Sequence, residues 1–144
     1  MNDETIRGVH WSFWVIGAVT LVWNVLGAMN FVWQLDADAV AAMPETHRAI
    51  IEGRPEWATA GFAIAVFGGA LGCLLLLLRK TAAYYLFIAS LLGVLVTIVH
   101  TLVMVAPGID FSPLEGVMMI LMPLVVPAFL IWYSKQSENK GWIS

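Results

Sequence analysis

Four runs of apolar residues, separated by short polar patches, account for most of this 144-residue chain. They cover residues 11–33, 57–78, 82–106 and 116–133, and none contains Asp, Glu, Lys or Arg. A helix rises 1.5 Å per residue, so roughly 20 residues cross a hydrocarbon core of about 30 Å. Each run is sized for one crossing. The pattern predicts an all-α, integral membrane four-helix bundle that forms a single transmembrane domain over residues 1–144.

The polar patches sharpen that picture. The turn at 79–81 is so short that the second and third spans must form a tight antiparallel hairpin. Pro107-Gly108 and Ser112-Pro113 are placed to stop one helix and start the next. Residues 34–56 form a longer outer loop, in which Pro44 suits a first helical position and Gly53-Arg54-Pro55 a helix stop. Val40, Met43, His47 and Ile50 follow helical spacing between them. They predict a short amphipathic helix lying on the outer interface or over the mouth of the bundle; a solvated connector with one helical turn is the competing reading.

The second span carries small residues at every fourth position, Gly61, Ala65, Gly69 and Cys73, with Gly68 and Gly72 as a GxxxG pair. Lipid gives helices no hydrophobic reason to associate, so close backbone packing on such a stripe has to hold them together. Packing within one chain is the expectation, ahead of homodimerisation.

Composition agrees. The chain is 60% apolar with a mean hydropathy of +0.84, and its 12% of charged residues are too few to cover a water-soluble surface. A net charge of −3 without any basic run argues against a nucleic-acid partner. The first run is too long and too rich in Trp for a signal peptide and reads as a retained helix. Arg7, Arg79, Lys80, Lys135 and Lys140 flank the spans on one side, against Arg48 and Arg54 on the other. By the positive-inside rule both termini are expected in the cytoplasm. Trp11, Trp14, Tyr84, Tyr85, Trp132 and Tyr133 then mark the inner interface, and Trp33 and Trp57 the outer one. Cys73 is the only cysteine, so no disulfide can form within the chain, and it reads as a small buried thiol.

Candidate chemistry lies with the polar residues inside the spans, because burying them is costly. His100 sits about 9 Å below the outer edge of the third span, with Thr97, Thr101 and Met104 on its face by helical spacing. In the first span Asn24 and Asn30 lie at about 14 Å and 5 Å from Trp33. Pro123 and Pro127 kink the fourth span, and each lacks the N–H that would bind a carbonyl four residues back. All of these occupy the outer half. Two readings compete: a small-ligand cavity lined by His100, Asn24, Thr97, Thr101 and Asn30, or polar glue in which His100 donates to a carbonyl freed by proline. The glue reading is favoured. A soft copper site from His100 with Met104, Met118, Met119 and Met122 is weaker, because methionines at this frequency usually fill gaps. No nucleophilic triad, HExxH, phosphate loop or intramembrane carboxylate pair is present, and no cofactor is expected.

The run Trp23-Asn24-x-x-Gly27, then Pro55-x-Trp57 leading into Phe62-Ala63-Ile64-Ala65-Val66-Phe67-Gly68-Gly69-x-x-Gly72, and the close at Ile131-Trp132-Tyr133 and Gly141-Trp142 resemble a family of small bacterial four-helix membrane proteins often labelled sugar transporters. The chain is also loosely similar in size and helix count to DoxX-type proteins. The resemblance implies the four-helix fold and adds no site residues. The expected function is a non-enzymatic accessory or small-ligand-binding membrane protein. A small-molecule transporter, for a sugar among other solutes, acting as an oligomer is second; an intramembrane enzyme or metal-dependent redox protein is a distant third. The expected partners are the lipid bilayer and a homo-oligomer or larger membrane complex.

Overall fold

The computed structural model of the chain describes residues 9–105 and 112–144; Arg7, Ala106, the Pro107-Gly108 pair, Asp110 and the side chain of Met104 lie outside the described residues. The described residues hold nine helical segments: α1 (Trp11–Trp33), α2 (Ala37–Ala41), α3 (Glu45–Glu52), α4 (Glu56–Leu77), α5 (Ala82–Val99), the π-helical π1 (His100–Val105), α6 (Pro113–Gly116), π2 (Val117–Leu121) and α7 (Met122–Asn139). No strand occurs among the described residues. α1, α4, α5 with π1, and the continuous run from α6 to α7 are long and apolar enough to cross a membrane, the architecture of a multi-pass helical membrane protein.

Two boundaries differ from the apolar pattern. The fourth long helix runs Pro113–Asn139, well beyond residues 116–133 at both ends. Ser112 caps its start by accepting the backbone N–H of Glu115 at 3.2 Å, with Pro113 at the first helical position. At its end Ser137 donates to the Tyr133 carbonyl at 2.9 Å, and Lys135 pairs with Glu138 at 3.2 Å. Hydropathy marks the part suited to lipid, whereas caps and local hydrogen bonds decide where the helix stops. The second difference lies between α1 and α4, where two short helices replace the single amphipathic one. Val40 is buried from α2 and Ile50 from α3, but Pro44 separates them. Its ring and missing N–H keep the backbone from running through.

α4 is the central helix. It packs most extensively against α5 on one side and α1 on the other, and α5 in turn packs against α7. The small-residue stripe makes these contacts possible. A Cβ on Gly61 would lie 2.7 Å from Val96 Cγ1, one on Gly72 would lie 2.6 Å from the Phe87 ring, and one on Gly69 would lie 2.7 Å from Asn24 Cγ. Gly93 on α5 faces the Gly61 carbonyl directly, and its Cβ would stand 2.7 Å from the Ala65 backbone nitrogen. Ala65 is buried in the same contact, and its carbonyl accepts the Ser90 hydroxyl at 2.6 Å. Gly68 alone among the expected packing glycines meets its neighbours at an ordinary 3.5 Å. The stripe is spent inside the chain.

One end of the bundle is filled solid. Phe13, Cys73, Leu76, Phe87, Leu130 and Tyr133 form a buried cluster with Ile143 beneath them. Phe13 stacks on Tyr133 at 6.3 Å and meets the Trp142 ring edge-on at 6.0 Å. Gly141, at φ +75°, reverses the chain after α7 and lets Trp142 N–H reach the Ser137 carbonyl at 2.8 Å. Residues beyond it then tie to the α4–α5 turn: Ser144 N–H donates to the Arg79 carbonyl at 3.1 Å, and Arg79 Nε to the Trp142 carbonyl at 2.7 Å.

The contrast between two glycines is testable. Gly68→Ala has room and gains helix propensity, so it should leave stability unchanged or raise it by up to about 1 kcal/mol. Gly93→Ala would strike backbone that cannot rotate away, and should cost about 1–3 kcal/mol. Thermal unfolding of both variants in one detergent measures the difference; equal tolerance would mean α4 and α5 are not held by backbone proximity.

Candidate functional site

The other half of the bundle is hollow. A chamber of about 420 Å³ lies between the four long helices and α3. Its walls change character with depth. Asn30 and Gln34 from the end of α1, His47 and Ile50 from α3, and Arg54 from the α3–α4 junction surround the mouth. Further in, the walls are mainly apolar: Phe62 and Val66 from α4, Val94 and Ile98 from α5, and Met119 and Pro123 from the fourth helix. Asn24, Ser90 and Pro127 reach the deepest level, where the solid end begins.

The local sequence explains why space is left here. A proline ring at position i clashes with the carbonyl at i−4, which for Pro123 belongs to Met119. The helix relieves this by widening into the π turn of residues 117–121 immediately before the proline. Facing it, α5 widens into π1 from His100 onward. Thr97 and Thr101 direct their hydroxyls to carbonyls of their own helix, at 2.8 Å to Val94 and 3.0 Å to Thr97. Both therefore stand on the chamber wall with their donors already used.

Arg54 dominates the electrostatics of the mouth. Its guanidinium donates to Gln34 Oε1 at 2.6 Å and lies over the Phe62 ring at 5.2 Å. Burial pushes its pKa down from the ordinary arginine value, since a desolvated cation is less favourable than a hydrated one. An arginine stays protonated through such a shift. Among the described residues no carboxylate pairs with it; the ion pair of Lys135 and Glu138 belongs to α7.

Four of the five residues expected to line a cavity do so: Asn24, Asn30, Thr97 and Thr101. Asn24 also joins helices, as the glue reading requires. Its Nδ2 donates to the Thr20 carbonyl at 2.9 Å and lies 3.6 Å from Cys73 Sγ, while its amide fills the notch over Gly69. His100 is the exception. It is fully buried, yet it turns away from the chamber and meets Trp57 of α4 edge-to-face at 5.8 Å. Along α5 and π1, Gly93, Val96 and His100 form the stripe that faces α4, and Ser90, Val94, Thr97, Ile98 and Thr101 form the adjacent stripe that lines the chamber. The bond expected from His100 to a carbonyl freed by proline is thus replaced by a ring contact. The soft-metal set is not assembled either, because Met118 and Met119 face the chamber while His100 faces α4. Among the described residues no three His, Cys, Asp or Glu side chains come together.

Sequence reasoning missed Gln34, Arg54, Phe62 and Ser90. Arg54 carried a usable signal: cations are scarce at that end of the spans, and this one directly precedes a helix with an aromatic residue two turns in. No protein family, curated protein or solved structure matches the chain.

If the His100 ring is held by Trp57, His100→Phe should be well tolerated, and His100→Leu should cost about 0.5–1.5 kcal/mol, the worth of an aromatic pair. Chemical or thermal unfolding in detergent reads this out. Equal losses for Phe and Leu would mean that an imidazole hydrogen bond, and not the ring contact, holds the position.

Proposed function

We propose that this chain is a non-enzymatic, multi-pass protein of a bacterial inner membrane that holds a small ligand in its chamber, with both termini cytoplasmic and the α3 end facing outward. The chamber carries the proposal. Its volume lies within the range of small-molecule sites, and its few polar groups converge from several helices on an otherwise apolar space, the usual composition of such sites. The orientation is supported by the excess of Lys and Arg at the opposite end, by the pair Arg79-Lys80 in the α4–α5 turn, and by Trp11, Trp14, Trp132 and Tyr133 near it. An accessory role within a larger membrane complex is compatible with the same site.

Transport of a small molecule by an oligomer is the second reading. Against it stands the layer of Phe13, Phe87, Leu130 and Tyr133, which fills the bundle below Asn24 and leaves the chamber blind. Transport would require this layer to part, and with it the bonds from Arg79 to residues 142–144.

Cysteine reactivity tests both location and orientation, because a thiol reacts as its thiolate and needs water to ionise. In a Cys73→Ser background, Thr97→Cys should be modified in intact cells by an anionic, membrane-impermeant thiosulfonate. Leu92→Cys, on the exposed apolar face of the same helix, should stay unreactive. Modification of Thr97→Cys only after the cells are opened would reverse the topology, and no modification in either state would mean the chamber is dry and closed.

A further inference from the structure

Among the described residues the wall of the chamber is most thinly packed between α1 and the fourth helix. α1 packs on α4, and α5 packs on α7, but α1 and the fourth helix are not an extensively packed pair. They meet through Phe13 and Tyr133 at the solid end. In the hollow half Leu26 of α1 and Met118 of π2 both line the chamber and are both about half exposed, at 57% and 48%. In a bilayer a seam edged by leucine and methionine would face hydrocarbon, the side from which a molecule dissolved in the membrane would enter. The mouth offers something different: a half-buried guanidinium, held in place by Gln34 and Phe62, with no carboxylate partner among the described residues. An arginine so placed favours an anion, since a charge-assisted hydrogen bond in a low-dielectric setting is among the strong ones.

Resting on the ligand-binding reading above, we propose that the chamber receives a membrane-borne amphiphile with one anionic head, a carboxylate or phosphate ester, whose head meets Arg54 and whose apolar body lies along Phe62, Val94, Ile98 and Met119. The space limits the body. At the ~30 Å³ that a water-sized group occupies, the chamber takes roughly ten to fifteen non-hydrogen atoms, the size of a medium-length acyl or alkyl chain with its head. A fully hydrophilic solute such as a free sugar would leave the apolar walls without a partner and Arg54 without a counter-charge.

Binding to the full chain in phosphatidylcholine nanodiscs, corrected for uptake by empty nanodiscs, decides the matter. The probes are decanoate, decyl phosphate, decanol, decyltrimethylammonium and butyrate. Decanoate or decyl phosphate, in either order, should bind saturably and at least about tenfold more tightly than decanol or the cation. Butyrate, which lacks the body, should bind far more weakly than decanoate, because each buried methylene adds to affinity. Arg54→Gln should bring decanoate and decyl phosphate down to the affinity of decanol, with saturable decanol binding showing that the chamber is still formed, and Ile98→Trp, which fills the interior, should abolish binding of every ten-carbon probe. Equal binding of decanol and decanoate, an intact preference in Arg54→Gln, or butyrate binding as tightly as decanoate would overturn the anionic-amphiphile assignment and leave the chamber a site for some other small molecule. Absence of saturable binding by all five probes would overturn the assignment as well; in that event a reactive Thr97→Cys preserves the wider ligand-binding reading, and an unreactive one removes it.

Discussion

Two glycines that face each other, Gly61 on α4 and Gly93 on α5, set how closely the central pair of helices can lie. In a bilayer the usual driving force for packing is missing, because lipid tails are as apolar as the side chains they would release. Contact has to come from shape and from hydrogen bonds that lipid cannot offer. The absence of Cβ atoms at 61 and 93 brings the backbones together, and that proximity places Ser90 close enough to donate to the Ala65 carbonyl at 2.6 Å. The same device recurs on the other face of α4, where Gly69 leaves the notch that receives Asn24. α4 thus grips a neighbour on each side, and the fourth helix is left to close the bundle by way of α5.

That closure is incomplete in one half because of how the fourth helix is built. Its solid end carries Leu130 and Tyr133, large side chains that fill the space opposite Phe13 and Phe87. Its hollow end carries Pro123 and a π turn. A proline removes a donor and pushes on the preceding turn, so the backbone widens and side chains are redirected. Met118 and Met119 then line a space instead of filling it. Solid and hollow halves therefore trace to the residue types on one helix, with α4 and α5 acting as a fixed wall for both.

Much of this was legible in the sequence, and what was not has a physical reason. Hydropathy located four spans, and small-residue spacing identified Gly61, Gly69 and Gly72 as packing positions, because both properties are local. Gly68 belongs to the same pattern yet meets its neighbours only at ordinary contact distance, since a stripe does not say which of its two edges carries the tighter contact. Polar residues at similar depth pointed to the hollow half. His100 shows where such reasoning stops. On a helix, positions 97, 100 and 101 lie within about 100° of one another, so spacing groups them, yet the boundary between the α4-facing stripe and the chamber-facing stripe passes between them. Only the position of α4 decides that. Arg54 escaped attention for the opposite reason: it sits in a loop, where a charge is ordinarily solvated, and only the fold brings it over Phe62 at the edge of a cavity.

The polarity of the chamber follows from this arrangement. Desolvating a cation is unfavourable, and within the described residues the offset comes from one neutral hydrogen bond to Gln34 and from the face of one ring. These fix the guanidinium in place without neutralising it. Below it the walls carry hydroxyls already committed to backbone carbonyls and an amide already bonded to Thr20 of its own helix and to Cys73 of α4. The interior therefore offers dispersion and little hydrogen bonding, while the mouth offers charge. A molecule that satisfies both must itself be divided, charged at one end and apolar along the rest. Such molecules reside with their heads at a membrane interface and their bodies in its core, which is why the proposed ligand is a membrane-borne amphiphile.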